Sequence, residues 1–289
     1  MSKTAQIAYR RACEDDLQAE HKVFGAAHDE LHKRHAVAWT TPPFERWSAG
    51  HRYLLRHDGS RSFVAEANGR IVGFSAALVR EDLWFFSALH IHPDFQGRGI
   101  GRRLFDLSRD GTYGRQATIS ESIQLVSVGL YAQKGLIPVT PILHFGGEPA
   151  IDPPPDVEAA AFKSEAVAAL DEVAYGCDRV LDHGFWSERA RCTHWSRGGV
   201  PVAYSYVWAT GLVGPVAGQD PSAAAAALRA ELARRRGQQT RVIIPGSARE
   251  LTEVAVAAGL RFYTQPGLLQ LSSGVRAPRN LAISGYLLF

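Results

Sequence analysis

Three glycines and an arginine fall within six residues, Gln96-Gly97-Arg98-Gly99-Ile100-Gly101, between a strand-forming run and a helical pattern. Glycine in the first turn of a helix costs roughly 1 kcal/mol relative to alanine, so bare backbone here must serve a purpose. A strand that ends in a glycine-rich turn and opens a helix presents several N–H groups at the positive helix end. That arrangement suits a phosphate or pyrophosphate. Two familiar phosphate motifs fail on spacing. A P-loop needs Lys-Ser/Thr after its last glycine, but Arg102-Arg103 follow Gly101. A dinucleotide fingerprint needs GxGxxG near the first strand of a βαβ unit, whereas GxGxG here follows a meander of antiparallel strand patterns.

A second group worth testing is His28-Asp29-Glu30-Leu31-His32. It departs from the zinc-protease pattern H-E-x-x-H, because Asp29 follows the first histidine and no third ligand is evident. His21, His28, His32 and His35 share one helical face by spacing, which reads as the polar face of a surface helix. No metal is expected. The dense basic run Ala233–Gly237 suits the C-terminal end of a helix. No base-reading module accompanies it, so nucleic acid is not an expected partner.

The elements around these groups follow from periodicity and turn residues. A short strand and then a helical pattern occupy "YRRACEDDLQAEHKVFGAAHDELHKRHAVAW", and a second helix follows in "PPFERWSAGHRYLLRH". Asn68-Gly69 between two runs of strand formers predicts a hairpin. "LWFFSALHI" is a strand, the helix after the glycines starts near Ile100, and "QATIS" is a further strand. "SIQLVSVGLYAQKGL" is a helix ended by Gly135, and "PVTPILHFG" closes the half. "GGEPAIDPPPDVEAAA" then excludes helix and central strand and reads as a semi-rigid connector. Beyond it the order repeats. A helix "DEVAYGCDRVLDHGFW" precedes a hairpin around Arg197-Gly198-Gly199, then the strand "GLVGPV" and an alanine-rich helix. The strand "TRVIIPG", the helix "RELTEVAVAAGL" and a strand "RFYTQPGLLQLSS" follow. Gly135-Leu136 and Gly259-Leu260 end corresponding helices, so the chain reads as a tandem duplication of one α/β unit.

Gln-x-x-Gly-x-Gly, as Gln96, Gly99 and Gly101, preceded by a strand and His-Pro, resembles the acetyl-coenzyme A signature of the GNAT-superfamily N-acetyltransferases. The resemblance covers the first half: the hairpin, the strand end "LHIHP", the loop, and "LYAQKGL" in place of the usual Leu-Tyr-x-x-x-Gly-Phe. It implies that the backbone from Gln96 through Gly97, Arg98, Gly99, Ile100, Gly101 and Arg102 cradles a pyrophosphate, with Gly99 and Gly101 permitting close approach. It also implies that Leu89, His90 and Ile91 pair with pantetheine amides as an open strand edge pairs with an added strand. The family assigns protonation of the leaving thiolate to the tyrosine of the last helix, here Tyr131. A phenol near pKa ~10 carries that proton at neutral pH. The oxyanion would meet a backbone N–H near the end of "LHI".

The general base matches less well. Many relatives carry a glutamate on the strand before the loop, where this chain has Trp84, Phe85 and Phe86. Others place one at the end of the next strand, and Glu121 stands close to that place; a solvated turn carboxylate is its alternative reading. His90 and His92 could relay a proton, with a packing role as the alternative. Helices in the position of the histidine stripe flank the acceptor pocket in related enzymes, so lining that pocket is the other reading of the stripe. In the second half, aligning Pro215 with Pro93 puts Gly218, Pro221 and Ala223 at the places of Gln96, Gly99 and Gly101. Aligning the Gly-Leu pairs puts Ala255 at that of Tyr131. Cradle and acid are both missing there.

The expectation is therefore an α/β (α+β) chain of two GNAT-like domains, each a mixed, mostly antiparallel sheet flanked by helices. Residues 1–147 form the catalytic domain, 148–160 the proline-rich linker and 161–289 a degenerate copy. "RNLAISGYLLF" at the end is apolar enough that it should dock, as an added strand. The implied activity is acetyl transfer from acetyl-coenzyme A to an amine of a small molecule or peptide. The alternatives are a coenzyme-binding regulatory module without turnover, or a thiol- or hydroxyl-directed acyltransferase. Of 289 residues, 46% are hydrophobic and 21% charged, with a formal charge of +3, as in ordinary soluble proteins. "MSKTAQIAYRRACEDD" lacks a leader's apolar stretch and no segment reaches a membrane span's length. Three scattered cysteines read as reduced thiols. The expected location is the cytoplasm, without membrane contact, and a homodimer is compatible with this reading.

Overall fold

The computed structural model describes residues 6–111, 114–160 and 164–289. The first five residues of the N-terminal stretch and the first three of the expected second domain (161–163) lie outside them. The chain forms two compact units. One is Met1–Thr118 with Ile123–Leu130 and Leu288; the other is Ile119–Ser122 with Tyr131–Leu287 and Phe289.

In the first unit the strands β1 (Ile7–Arg11), β2 (Phe63–Ala67), β3 (Arg70–Arg80), β4 (Leu83–Ile91) and β5 (Arg115–Glu121, its last three residues counted with the other unit) lie in that order. All neighbours are antiparallel except β4 and β5. A parallel pair needs a crossover, which α3 (Ile100–Ser108) supplies. Helices α1 (Leu17–Arg34) and α2 (Phe44–Asp58) precede the hairpin. The hairpin forms as its Asn68-Gly69 turn predicts, with both residues at positive φ. Helix α4 (Leu125–Gln133) follows β5.

A bulge in β4 sets the faces of this sheet. Ala76 pairs Ala88 while Ala77 pairs Phe86, so Ser87 is the extra residue. Before it, Trp84 and Phe86 pack on Phe105 of α3; after it, Leu89 and Ile91 continue that face against Ile100 and Leu104. The aromatic run that replaces a strand glutamate is core, since Trp84, Phe85 and Phe86 are all buried. On the other face a buried ion pair, Arg80–Asp58 at 3.0 Å, ties α2 to β3.

The second unit contains β6 (Ile137–Gly147), β7 (Glu158–Ala160), β8 (Ala190–Arg197), β9 (Val200–Trp208), β10 (Leu212–Gly218) and β11 (Thr240–Pro245). β12 (Arg261–Phe262), β13 (Gly267–Leu271) and β14 (Leu281–Ala282) complete its strands. From the end of β5 the order is β5-β13-β6-β11-β10-β9-β8-β7, with β12 beside β6 and β14 beside β10. Thus β6 pairs with β11 and β13, not with a strand of the first half of the chain. Gln270 of β13 is fully buried, accepting from Ser120 Oγ at 2.9 Å and donating to the Leu136 carbonyl at 2.9 Å.

The helices of this unit are α5 (Ser164–Tyr175), α6 (Val180–Ser187), α7 (Pro221–Arg234) and α8 (Arg249–Ala257). The single helix expected over "DEVAYGCDRVLDHGFW" is two, α5 and α6, because the chain turns at Gly176 with φ +72°. The closing strand "RFYTQPGLLQLSS" is also two, β12 and β13. The C-terminal segment docks as an added strand, β14, as its apolarity suggested.

Candidate active site

The glycine stretch takes the shape its residues allow. β4 leads into a 3-10 turn at Pro93–Phe95, and Gly99 caps α3 in the left-handed conformation, φ +79°. Gly97 is also left-handed, at φ +74°. A Cβ built on either would meet nothing within 4 Å, so both backbones face open space. The first helical bond runs from the N–H of Arg103 to the Gly99 carbonyl at 3.1 Å. The amides of Ile100 and Gly101 thus have no acceptor within the helix. No acidic side chain lies in its first turn. This is a bare positive helix end, worth up to about 2 kcal/mol toward an anion in favourable geometry.

The other residues of the stretch hold that backbone in place. Gln96 donates from Nε2 to the Ile91 carbonyl at 3.0 Å, closing the turn on the strand end. Arg98 donates to the Asp94 carbonyl at 2.8 Å and covers the Phe95 ring at 4.9 Å. The absent Cβ of Gly101 points toward Leu89 Cδ2 and Ile91 Cγ1, at 3.6 and 3.8 Å. A side chain at position 101 would thus point to the strand at ordinary contact distance and not into the open space beside Gly97 and Gly99.

β4 offers the second feature. Its parallel ladder to β5 runs from Leu83–Arg115 to Phe86–Thr118 and ends at the bulge. Among the described residues, Ala88–Ile91 carry only the β3 ladder. Leu89, His90 and Ile91 thus come together with the glycine turn on one open strand edge.

His90 faces away from α3. Its ring lies 5.0 Å from Phe24, 5.1 Å from His28 and 5.1 Å from Phe74. Burial, with His28 and His51 nearby, holds its pKa well below the usual histidine range. His28 and His32 stack on Trp39, at 4.5 and 4.6 Å, and His32 is buried. The middle of the stripe is therefore not a solvated polar face: His28 and His32 pack on Trp39 and His21 packs between Phe44 and Trp47, which periodicity cannot reveal, while His35 at the end of α1 is exposed as the polar-face reading expects. Burial also pushes His51 of α2 down to about 4. His92 ends the strand differently, accepting from the Asp94 N–H at 3.3 Å.

Tyr131 and Glu121 are counted with the second unit. Tyr131 is buried, and its carbonyl accepts from the Leu136 N–H at 2.9 Å in the turn closed by Gly135. Glu121 is half-buried at the end of β5 rather than a solvated turn carboxylate. Its charge acts on His144, which burial lowers to about 4, and on Tyr286, whose pKa burial raises. His144 Nε2 and Tyr286 Oη are hydrogen-bonded at 2.8 Å. Sequence reasoning missed this pair: 142 residues separate them, and no local pattern brings the turn that carries Tyr286 to β6.

The counterpart loop of the second unit differs from its expected alignment. Pro215 lies inside β10, so it does not correspond to Pro93. The residue that caps α7 in the way Gly99 caps α3 is Asp220, with Pro221 at the first helical position. The other alignment holds: Leu260 N–H donates to the Ala255 carbonyl at 3.1 Å, repeating the Leu136–Tyr131 bond, and Ala255 is fully buried.

Residues 24–135 match the acetyltransferase (GNAT) family model. This segment is a GNAT domain. The family is one of acetyltransferases, which places the chain among the transferases. In fold, the chain is similar to a Pyrococcus horikoshii protein named as an acetyltransferase: 17% identity, 99% of this chain and 97% of the other, TM-score 0.78. A GCN5-related N-acetyltransferase from Sphaerobacter thermophilus aligns over 94% of this chain and 98% of its own, at 15% identity and TM-score 0.66. A tandem GNAT protein of the clavulanic acid biosynthesis pathway aligns over 94% and 100%, at 14% identity and TM-score 0.57. No curated protein matches the chain in sequence. Among the described residues, no helix is long and apolar enough to cross a membrane, and the three cysteines are free thiols.

Proposed function

We propose that the chain is an acetyl-coenzyme A-dependent N-acyltransferase whose coenzyme is held by the first unit. The observation that carries this reading is the glycine turn, where two left-handed glycines face open space in front of a bare helix end. A Cβ at Gly97 or Gly99 would fill the space that a pyrophosphate needs, so the residues present fit the ligand. The backbone from Gly97 to Arg102 would hold the phosphates, Gln96 would keep the turn closed on β4, and the edge Leu89–Ile91 would align an extended amide-bearing arm. When bound, acetyl-coenzyme A supplies an activated thioester. Tyr131 would hold a proton for the departing sulfur, and Glu121 would take one from the amine acceptor, a small molecule or peptide.

Thiol release from acetyl-coenzyme A, followed with a panel of amines and mass analysis of the products, tests this. Acetylated amine formed at a rate that depends on the chain is the expected result. Tight coenzyme binding with no acetylation of the panel or of any lysate component would instead favour a regulatory module.

A further inference from the structure

The two units share one strand pattern, and they differ in what lies along the strand edge. In β10, Val213 pairs Val207 while Val216 pairs Ser205, so β10 bulges by one residue as β4 does at Ser87. The parallel ladder from β10 to β11 runs only through Leu212–Arg241 and Val213–Val242, ending at the bulge as the β4–β5 ladder does. Each strand then continues to a turn and a helix. The edge that β4 leaves open is occupied in β10: Val216 pairs Ala282 and Ala217 pairs Leu281, antiparallel. Asn280 exchanges bonds with Gly218, its side chain donating to the Gly218 carbonyl and its carbonyl accepting from the Gly218 N–H at 3.2 Å. On the far side, the Ile283 N–H donates to the Ile243 carbonyl of β11 at 2.9 Å.

We propose that residues 280–283 and Asp220 together stand in, within the molecule, for the extended arm and the anionic group of a coenzyme, closing the second unit's cleft and leaving one coenzyme site per chain. The coenzyme half of this statement rests on the function proposed above. Leu281, Ala282 and Ile283 have no exposed surface, and the Ile283 carbonyl oxygen lies 2.4 Å from where a Cβ on Gly214 would be. At the helix end, Asp220 Oδ1 accepts from the Ala223 N–H at 2.8 Å, and Pro221 has no N–H to offer. A carboxylate thus already occupies the place where α3 shows bare backbone, and an incoming phosphate would meet its charge. The turn is also shut: a Cβ on Gly218 would lie 2.4 Å from the Ala224 nitrogen, whereas Gly97 and Gly99 face open space.

Two measurements on the full chain test this. Hydrogen exchange, with and without saturating coenzyme A, reads whether the segment leaves. The amides of Gly218 and Ile283 should exchange with the slowest class of the second unit and change by less than about twofold on saturation. Fast exchange at these amides, or their release by coenzyme A, would overturn the proposal. Titration calorimetry with coenzyme A should give one site, and none for Gly99→Val. Two sites, or a site that survives Gly99→Val unchanged, would also overturn it. A chain that binds no coenzyme A at all would refute the proposed function instead, and the exchange of Gly218 and Ile283 would still decide whether the cleft is closed.

Discussion

Gly99 and Gly101 lie two residues apart in one motif, and the structure separates their roles sharply enough to predict opposite outcomes. Valine at position 99 must adopt φ +79°, which costs an L-residue about 1–2 kcal/mol. That strain is the same with and without ligand, so it lowers the melting temperature by a few degrees and leaves affinity alone. Affinity falls for a different reason: the valine side chain fills the open space in front of the helix end. Hydrogen bonds from N–H groups to a charged phosphate contribute about 1.5–3 kcal/mol each. Obstructing two of them weakens binding by about 10²- to 10⁴-fold. Alanine at position 101 meets Leu89 and Ile91 at ordinary contact distance, 3.6 and 3.8 Å, in a helical turn. It should raise stability by up to about 1 kcal/mol and leave affinity within about twofold. Calorimetric titration with coenzyme A and thermal unfolding of both variants read the two effects separately. Equal loss of affinity in the two variants, or a Gly99→Val chain that binds like wild type, would refute the assignment of the cradle.

Tyr131→Phe should lower kcat by roughly tenfold to a thousandfold with coenzyme affinity nearly intact; collapse of stability with kcat unchanged would make the buried tyrosine a packing residue. Asp58→Ala leaves the buried Arg80 guanidinium without its carboxylate and should cost about 3–5 kcal/mol in denaturant unfolding; a loss under 1 kcal/mol would show that the Tyr53 hydroxyl, which accepts from Arg80 Nη2 at 3.1 Å, and water replace the carboxylate. Acid should destabilise the chain well before its carboxylates titrate. His51 and His144 are lowered to about 4 and His90 lies well below its usual range, so the unfolded chain takes up protons that the folded one refuses. The stability these three histidines contribute is complete above about pH 6.5 and falls toward pH 4, by up to about 1.4 kcal/mol per pH unit for each. Buried Glu20, raised to about 8, opposes them with one slope of that size between about pH 4.5 and 8, so the net fall remains. A flat denaturation profile between pH 7 and 5 would contradict their burial.

What could be read from the sequence was local. The Asn68-Gly69 hairpin, the glycines that end α4 and α8, and the turn before α3 each depend on a backbone conformation that one or two residue types favour. What could not be read was which strands become neighbours. "PVTPILHFG" announces a strand and its two faces, but nothing in it states that β6 will lie between β13 and β11. The surroundings of His28 and His32 were hidden for the same reason, since their partner Trp39 is supplied by a loop. The position of β6 leads to a last prediction. The proline-rich segment looks like the place to cut the chain, yet a chain ending at Gly147 would keep β6 while removing the strands on both its edges. Ile142 and Phe145, buried in the whole molecule, would face water at about 1.5–3 kcal/mol each, beside two rows of unpaired backbone groups. Such a chain should aggregate or bind coenzyme A weakly, and supplying residues 148–289 as a second polypeptide should restore solubility, read by size-exclusion chromatography. A soluble fragment 1–147 with full affinity and full transferase activity would show instead that β6 can do without β11 and β13, and that the duplication left two separable domains.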